Sequence, residues 1–553
     1  MSFTWDRTNE RFISEPRCPW PDCGTEAGIR KAATTTQQLL SWCAACDRPY
    51  EAVLLEPHAL PGGHGGQPVP WTRRPGAIHC TYTGRPLQRC SPLDWCEQGG
   101  GPGRNSSLDD DSGAVFGPPR KDTQLRLEPV WDCNSVDIVG GVLGGGAGGF
   151  DDSVSSVSVV HDCVVVVTRR GRLATLDLDS GALKLERPLE WPGGFPTDLT
   201  RAVVLAPAIR GTTAVIVAPH EAVFRDIKQE LFALEGVPRA APRSVQPAGT
   251  GSVFLGPPLG IDAPPSSPRG PLFCLFEGRL RGEGVDDPRL RFFEASGVEV
   301  ACCAVEDIAR PPVFDSASGC VVWVSTQGFV TLIKSAALVR DAHTGVHVIG
   351  GDDVVTLMSD EILALRQSAR PTFVLARDRR GHSELFVAAL GQHDETEIVR
   401  ASLEPAAIAS GEVRWSRRGL GARGELVGLA VGSSSSWAQN AGGQLLAIST
   451  DLHVASISKE ESSIAYAPKF GHEGASRRGS FDPPLVTSAG VISRVPGYLH
   501  LDTQGLDWSD YSRSQIHLEG RYERAGGLAL FGRKVFVGVG MGVRCFTITR
   551  KTA

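Results

Sequence analysis

Lysine is scarce beside arginine in this chain of 553 residues, and no uncharged apolar run approaches the ~20 residues that would cross a bilayer as a helix. The arginine bias reflects the coding habit of a GC-rich genome and excludes nothing. The missing apolar run argues against a spanning helix. The opening stretch MSFTWDRTNERF carries charge where a secretory leader needs its apolar segment, so a cytosolic chain is expected. HExxH, GxSxG and GK[ST] are all absent, which removes the commonest signatures of zinc peptidases, serine hydrolases and phosphate loops. Charged residues are slightly few at 21%. With net charge −6 and a pI near 6.1, no global field draws the chain to nucleic acid or an acidic membrane.

What is present is glycine, proline and cysteine. The 64 glycines and 38 prolines call for many turns, hence many short strands, and the 41% hydrophobic fraction supplies an ordinary core. Of fourteen cysteines, seven precede residue 100 and seven are scattered through apolar segments. In a reducing compartment clustered thiols read as metal ligands and scattered ones as small core residues.

The cluster begins with RCPWPDCG and continues with WCAACDRPYE. Cys18 and Cys23 enclose four residues, and Cys43 and Cys46 enclose two. Two tight turns, each presenting a thiolate pair, suit tetrahedral zinc with ligands about 2.3 Å away. Gly24 permits the first turn, and YEAVLLE reads as a strand leaving the second. The pattern resembles a zinc ribbon, with knuckles of the CPxCG type, although the first knuckle here carries two extra residues. Four thiolates leave no open position, so Zn2+ is expected in a structural role. The competing readings are four separately buried cysteines, or a redox pair at Cys43 and Cys46. A looser group follows, His79, Cys80, Cys90 and Cys96, with His58 and His64 upstream. It lacks paired turns, and a second metal or a degenerate second ribbon there is the minor reading. The resulting division is 1–58 ribbon-like module, 59–96 extension, 97–123 flexible linker rich in Gly, Ser and Asp, and 124–553 repeat domain.

Gly144, Gly146 and Gly149 stand in literal GxGxxG spacing, but DDS and then a β-branched run follow where a helix N-terminus would be needed. A loop between strands is the simpler reading. Arg169, Arg170 and Arg172 make a short basic group that reads as a solvated turn.

From residue 124 onward a unit recurs: a short apolar strand, often led by proline, a turn, a β-branched strand, a turn and another strand. It is clear at 158–183, 310–333, 482–506 and 526–548, and looser at 201–227, 347–365 and 426–449. PPLGIDAPPSSPRGP interrupts it within 252–297. A period of 45–60 residues predicts an all-β protein, a β-propeller of seven blades, with six or eight as alternatives. Closure is expected to pair the early strand QLRLEPVW (124–131) with the final ones. The segment LATLDLDSGALKLERPLEW (173–191) resembles the repeat of quinoprotein (PQQ) propellers, with Asp177, Gly181 and Trp191 at its characteristic positions.

Three functions compete. A non-catalytic scaffold binding partner proteins comes first. Its ribbon-plus-propeller layout is similar to bacterial propeller proteins of the bpX type, which accompany MoxR-type AAA+ ATPases and von Willebrand A-domain proteins in conflict systems; that resemblance implies an ATPase or an A-domain protein as partner. A quinoprotein-like enzyme is second, with Asp352/Asp353 and Asp394/Glu395 as the acidic pairs to weigh. Nucleic-acid binding through Trp20, Arg30, Lys31 and Trp42 is third, and the acidic balance argues against it.

Overall fold

In the computed structural model, described residues include Cys96, Glu97, Gly100 and, with gaps in connections, 123–552. Residues 101–122, 134–153, 192–203 and 457–484 lie outside the description, and side chains between 418 and 526 are described only at isolated positions. Before Cys96 the backbone of short strands alone is described. There Ile29–Thr34, Gln38–Cys43, Pro49–Val53 and Arg85–Pro86 form one antiparallel sheet.

The rest is a β-propeller. Among the described residues eight sheets succeed one another, beginning with innermost strands Val154–Val160, Ala208–Arg210, Leu259–Ile261, Val313–Asp315, Thr372–Arg377, Leu426–Val431, Leu485–Thr487 and Ala525–Phe531. Seven of these sheets are four-stranded. The third also takes Val253–Phe254 and the two-residue strand His347–Val348. From Ala208–Arg210 onward each innermost strand contacts the next around the circle, and Ala525–Phe531 returns to Val154–Val160. The first and second sheets are joined by a shared core of Cys163, Val165 and Val167 with Ile209, Ala214 and Ile216. The sheet count matches the larger of the two alternatives to the expected seven.

The physical reason for the ring is visible in the strands themselves. In Cys163–Thr168 (CVVVVT) every residue is buried, so this strand hides both faces. A lone four-stranded sheet cannot do that; two flanking sheets can. Each fully buried valine contributes about 1.5–3 kcal/mol of apolar transfer. Proline leads the innermost strands of the second and fourth sheets, at Pro207 and Pro312, where its missing N–H costs no ladder bond.

Closure is made as expected. Thr123–Cys133 pairs antiparallel with Gly542–Thr552, from Thr123↔Thr552 to Val543↔Cys133, and supplies the outer strand of the eighth sheet. Three units differ from their reading in sequence. The third sheet's innermost strand is split by Pro257 and Pro258 into Val253–Phe254 and Leu259–Ile261, both pairing Leu272–Arg281. Segment 347–365 is not a unit: His347–Val348 joins the third sheet in parallel, Val354–Met358 completes the fourth, and a short helix Asp360–Leu363 follows. The fifth sheet, Thr372–Arg377, Ser383–Leu390, Glu395–Ser402 and Trp415–Arg423, was not among the units read from the sequence. Helices among the described residues are short, and none is long and apolar enough to cross a membrane.

Because strands alternate in direction, each sheet sends its first-to-second and third-to-fourth connections to one face of the ring. That face is called the first face below. The second-to-third and sheet-to-sheet connections emerge on the second face.

Candidate functional site

The described polar chemistry concentrates where sheets meet. After Arg172–Asp177 the chain turns through LDSG. The Asp177 carboxylate accepts from Asp179 N at 3.1 Å, Ser180 N at 3.0 Å and Ser180 Oγ at 2.9 Å, while Gly181 N donates to Asp177 O at 2.9 Å. Burial alone would raise the Asp177 pKa. The Ser180 bonds, the Lys184 charge and the Asp179 amide outweigh it, and the group titrates below its usual value. The same device recurs as DSASG in the fourth sheet, where Asp315 accepts from Ser318 Oγ at 2.5 Å and Gly319 N donates to Asp315 O at 2.8 Å.

Two of the three quinoprotein-like positions therefore form one turn, Asp177 as acceptor and Gly181 at φ +70°. The third, Trp191, is buried elsewhere, beside His220 with ring centroids 6.2 Å apart. Burial depresses the His220 pKa, and Glu221 opposes the shift. The indole lying on Gly181 is that of Trp131, whose Nε1 donates to Leu178 O at 3.3 Å. Lys534 Nζ reaches the same carbonyl at 3.2 Å and also bonds Asp179. Turn, indole and lysine thus join the first sheet to the eighth, and these residues hold the fold together.

A second polar centre was not foreseen from the sequence. Arg210 ends the innermost strand of the second sheet and is 1% exposed. Its guanidinium pairs with Glu97, itself 1% exposed, donates to Gly260 O at 2.8 Å, to Ile209 O at 2.9 Å and to Cys96 Sγ at 3.0 Å, and lies 3.2 Å from Asp262. Gly260 N donates to the Glu97 carboxylate at 3.0 Å. The main chain joins in, Ile209 N donating to Cys96 O at 3.0 Å. Gly260 is required here, since a Cβ would stand 2.6 Å from Arg210 Cζ. The available signal was an arginine closing an apolar strand, VLAPAIRG, but its acidic partner lies more than a hundred residues earlier.

Other buried charges also bridge elements. Asp315 accepts from Ser383 Oγ of the fifth sheet at 2.6 Å. Thr175 Oγ1 of the first sheet donates at 2.7 Å to Glu230 O in the helix Lys228–Phe232 of the second. Arg291 pairs with Glu277 at 3.1 Å and Glu299 at 2.7 Å, and donates to Gln246 O at 2.9 Å.

The cysteines expected to hold zinc fall outside the described residues or are described only in part. Cys18, Cys23 and Cys46 are not described, and of Cys43 only the backbone is, at the end of Gln38–Cys43 opposite Ile29. His58, His64, His79, Cys80 and Cys90 lie outside it too. Cys96 is described, and its sulfur is buried against Arg210 and the core of the first two sheets. Among the described residues no group of three or more metal-ligating side chains converges. Of the acidic pairs, Asp353 bonds His347 at 3.0 Å in a 3-10 turn; the side chains of Asp352, Asp394 and Glu395 lie outside the description. The glycine triplet 144–149 lies outside as well, and the first described element after it is the strand Val154–Val160. Arg172 pairs with Glu186 at 2.5 Å.

No protein-family model matches the chain, and no curated protein does. Solved propellers are similar in fold. A computationally designed protein, Ika8, aligns at TM-score 0.44 and 12% identity over 73% of this chain and 98% of its own. BamB from Moraxella catarrhalis aligns at 0.42 and 12% over 76% and 99%, and the Cps50 (Swd1) propeller domain of Myceliophteria thermophila at 0.40 and 10% over 76% and 100%.

Proposed function

We propose that this chain is a non-catalytic protein-interaction scaffold: an eight-bladed disc that holds loops rigidly for a partner protein. The observation that carries the reading is where the buried polar side chains go. Trp131, Lys534, Arg210, Asp315, Thr175 and Arg291 are engaged in bonds between sheets or between a sheet and the segment entering it. Groups held that way stiffen a support, and loops on stiff supports are the usual binding surfaces of such folds. The third sheet adds a reach of its own. Its strands Leu272–Arg281 and Gly284–Glu294 carry a hairpin tip to the second face, with Leu280 at 55% exposure beside the exposed Arg279–Asp287 pair.

The partner class is a proposal from the sequence resemblance, an AAA+ ATPase or a von Willebrand A-domain protein, with zinc at Cys18, Cys23, Cys43 and Cys46 in a structural role. Affinity capture with the full chain tests it, with bound proteins identified by mass spectrometry. Recovery of either class, reduced by Leu280→Glu, supports the scaffold. Quinone absorbance in the purified protein supports the enzyme reading instead, and salt-sensitive retention on single-stranded DNA the nucleic-acid one.

A further inference from the structure

The Arg210 centre does more than stiffen the ring, because one of its members arrives from outside it. Cys96 and Glu97 precede the closing strand Thr123–Cys133 in the chain, yet they are seated at the inner ends of the second and third sheets. Both are about 1% exposed, and Glu97 and Gly100 exchange backbone hydrogen bonds at 2.9 and 3.0 Å in a tight loop. A buried Arg–Glu pair forfeits several kcal/mol of hydration per ion and persists only where its remaining donors and acceptors are satisfied. Here the Gly260 amide, the Gly260 and Ile209 carbonyls and the Cys96 sulfur meet much of that need, and Asp262 stands 3.2 Å from the guanidinium as a second counter-charge. This is a built socket, and a passing linker would not need one.

Topology fixes which side it is on. Arg210 and Ile261 close innermost strands that run toward the first face. Thr123 also opens its strand at the first face, beyond the level where Lys534 pairs with Thr547. The chain therefore meets the first face at two fixed points, the inner edge of the second and third sheets and the rim of the eighth. The region ahead of Cys96 is tethered to the first of these.

We propose that the Glu97–Arg210 pair is a clasp seating the cysteine-bearing N-terminal region, residues 1–95, on the first face of the propeller over the inner ends of the second and third sheets. The first face is then an intramolecular interface. It follows, resting on the scaffold reading, that a partner protein is received on the second face.

The lysine distribution supplies a probe. Lys184, Lys334, Lys534 and Lys551 stand at strand ends on the first face, Lys228 opens the helix Lys228–Phe232 in a third-to-fourth connection on the same face, and Lys31 lies in the N-terminal sheet. In the full chain, an amine-reactive cross-linker is expected to join Lys31 to Lys228 and Lys334. Hydrogen exchange is expected to be slow at 96–100. Arg210→Met, which strands Glu97, should speed exchange at 96–100 by about tenfold and lower the Lys31 cross-links, while the strand Cys163–Thr168 stays protected. Adding Glu97→Leu to that variant should restore both signals, since an apolar pair fits where the ion pair did. Should Arg210→Met fail to fold, Glu97→Gln serves in its place. Free-chain exchange at 96–100 in the unaltered protein, or Lys31 cross-links indifferent to the clasp, overturns the proposal. No partner is used, so its failure leaves the scaffold reading standing, and a failed capture leaves the clasp standing.

Discussion

The indole of Trp131, in the strand that closes the ring, rests on Gly181 in the first sheet so closely that a Cβ on that glycine would stand 2.5 Å from Cδ2 and Cε3. Trp131 comes from the start of the propeller and is held in the last sheet by Gly542–Thr552. The contact therefore ties together three distant parts of the chain: the closing strand, the final strands and the first sheet. Its geometry depends on the absence of a side chain at 181 and on a φ of +70°, which residues other than glycine rarely adopt.

Gly181→Ala is accordingly expected to destabilise the ring by roughly 1–3 kcal/mol from crowding, with up to about 1 kcal/mol more from the backbone. Trp131→Ala removes the ring instead and should cost about 3–5 kcal/mol. Urea midpoints check both. A Gly181→Ala midpoint equal to that of the unaltered chain would show that the turn can shift away from the indole.

A bond between the fourth and fifth sheets offers a sharper test of the stapling idea. Ser383→Ala deletes the hydroxyl that donates to Asp315 at 2.6 Å and leaves a buried carboxylate with less support. A hydrogen bond to a charged group is worth about 1.5–3 kcal/mol, and a loss of that size is expected. Adding Asp315→Asn should recover part of it, because the stranded charge is gone.

Most of the architecture was legible because both the inner strands and the turns write themselves into sequence. CVVVVT can only be a strand hidden on both faces, and DLDSG and DSASG are turns with a mechanism. The fifth sheet was missed for the opposite reason. Its outer strands, ETEIVRAS and WSRRGLGAR, carry charge, and Glu384–Arg400 and Glu397–Arg417 pairs across the strands replace the apolar pattern. Segment 347–365 misled because its apolar runs serve two sheets. Arg210 was hidden because its partner is remote in sequence, and a lone arginine after AI says nothing of what it meets.

Acid sensitivity should be detectable at the Asp177 turn. Its folded pKa lies below the unfolded one, so its contribution is present above about pH 4 and is lost as pH falls through the folded value. Stability curves between about pH 2 and 6 should therefore be flatter on the acid side for Asp177→Asn. An unchanged acid limb would mean that the turn's hydrogen bonds do not depend on the charge.

Of the scattered cysteines all but the half-buried Cys302 are buried as core. Burial pushes the Cys303 thiol up to about 11, with a smaller push from Cys302, and that of Cys545 up to about 12, where Lys534 pulls it back only in part. A thiol at 12 is ionised about once in ten thousand molecules at pH 8, and the thiolate is what reacts. In the folded protein both should resist iodoacetamide at that pH and react fully in denaturant. Rapid native labelling of Cys545 would show that the eighth sheet opens.

The N-terminal thiols should behave oppositely if they hold zinc. Ligands at Cys18, Cys23, Cys43 and Cys46 must be thiolates, so binding competes with protons and weakens on acidification. The purified chain is expected to carry one zinc per molecule, and Cys43→Ser to lose most of it. Because a four-thiolate site contributes folding energy to the small module alone, chelation should release protection in the strands Ile29–Thr34 and Gln38–Cys43 while leaving Cys163–Thr168 unchanged. Elemental analysis with hydrogen exchange measures both. A metal-free chain whose Cys43 and Cys46 form a reducible disulfide would replace the zinc reading with the redox one, since a pair separated by two residues has the spacing for either chemistry.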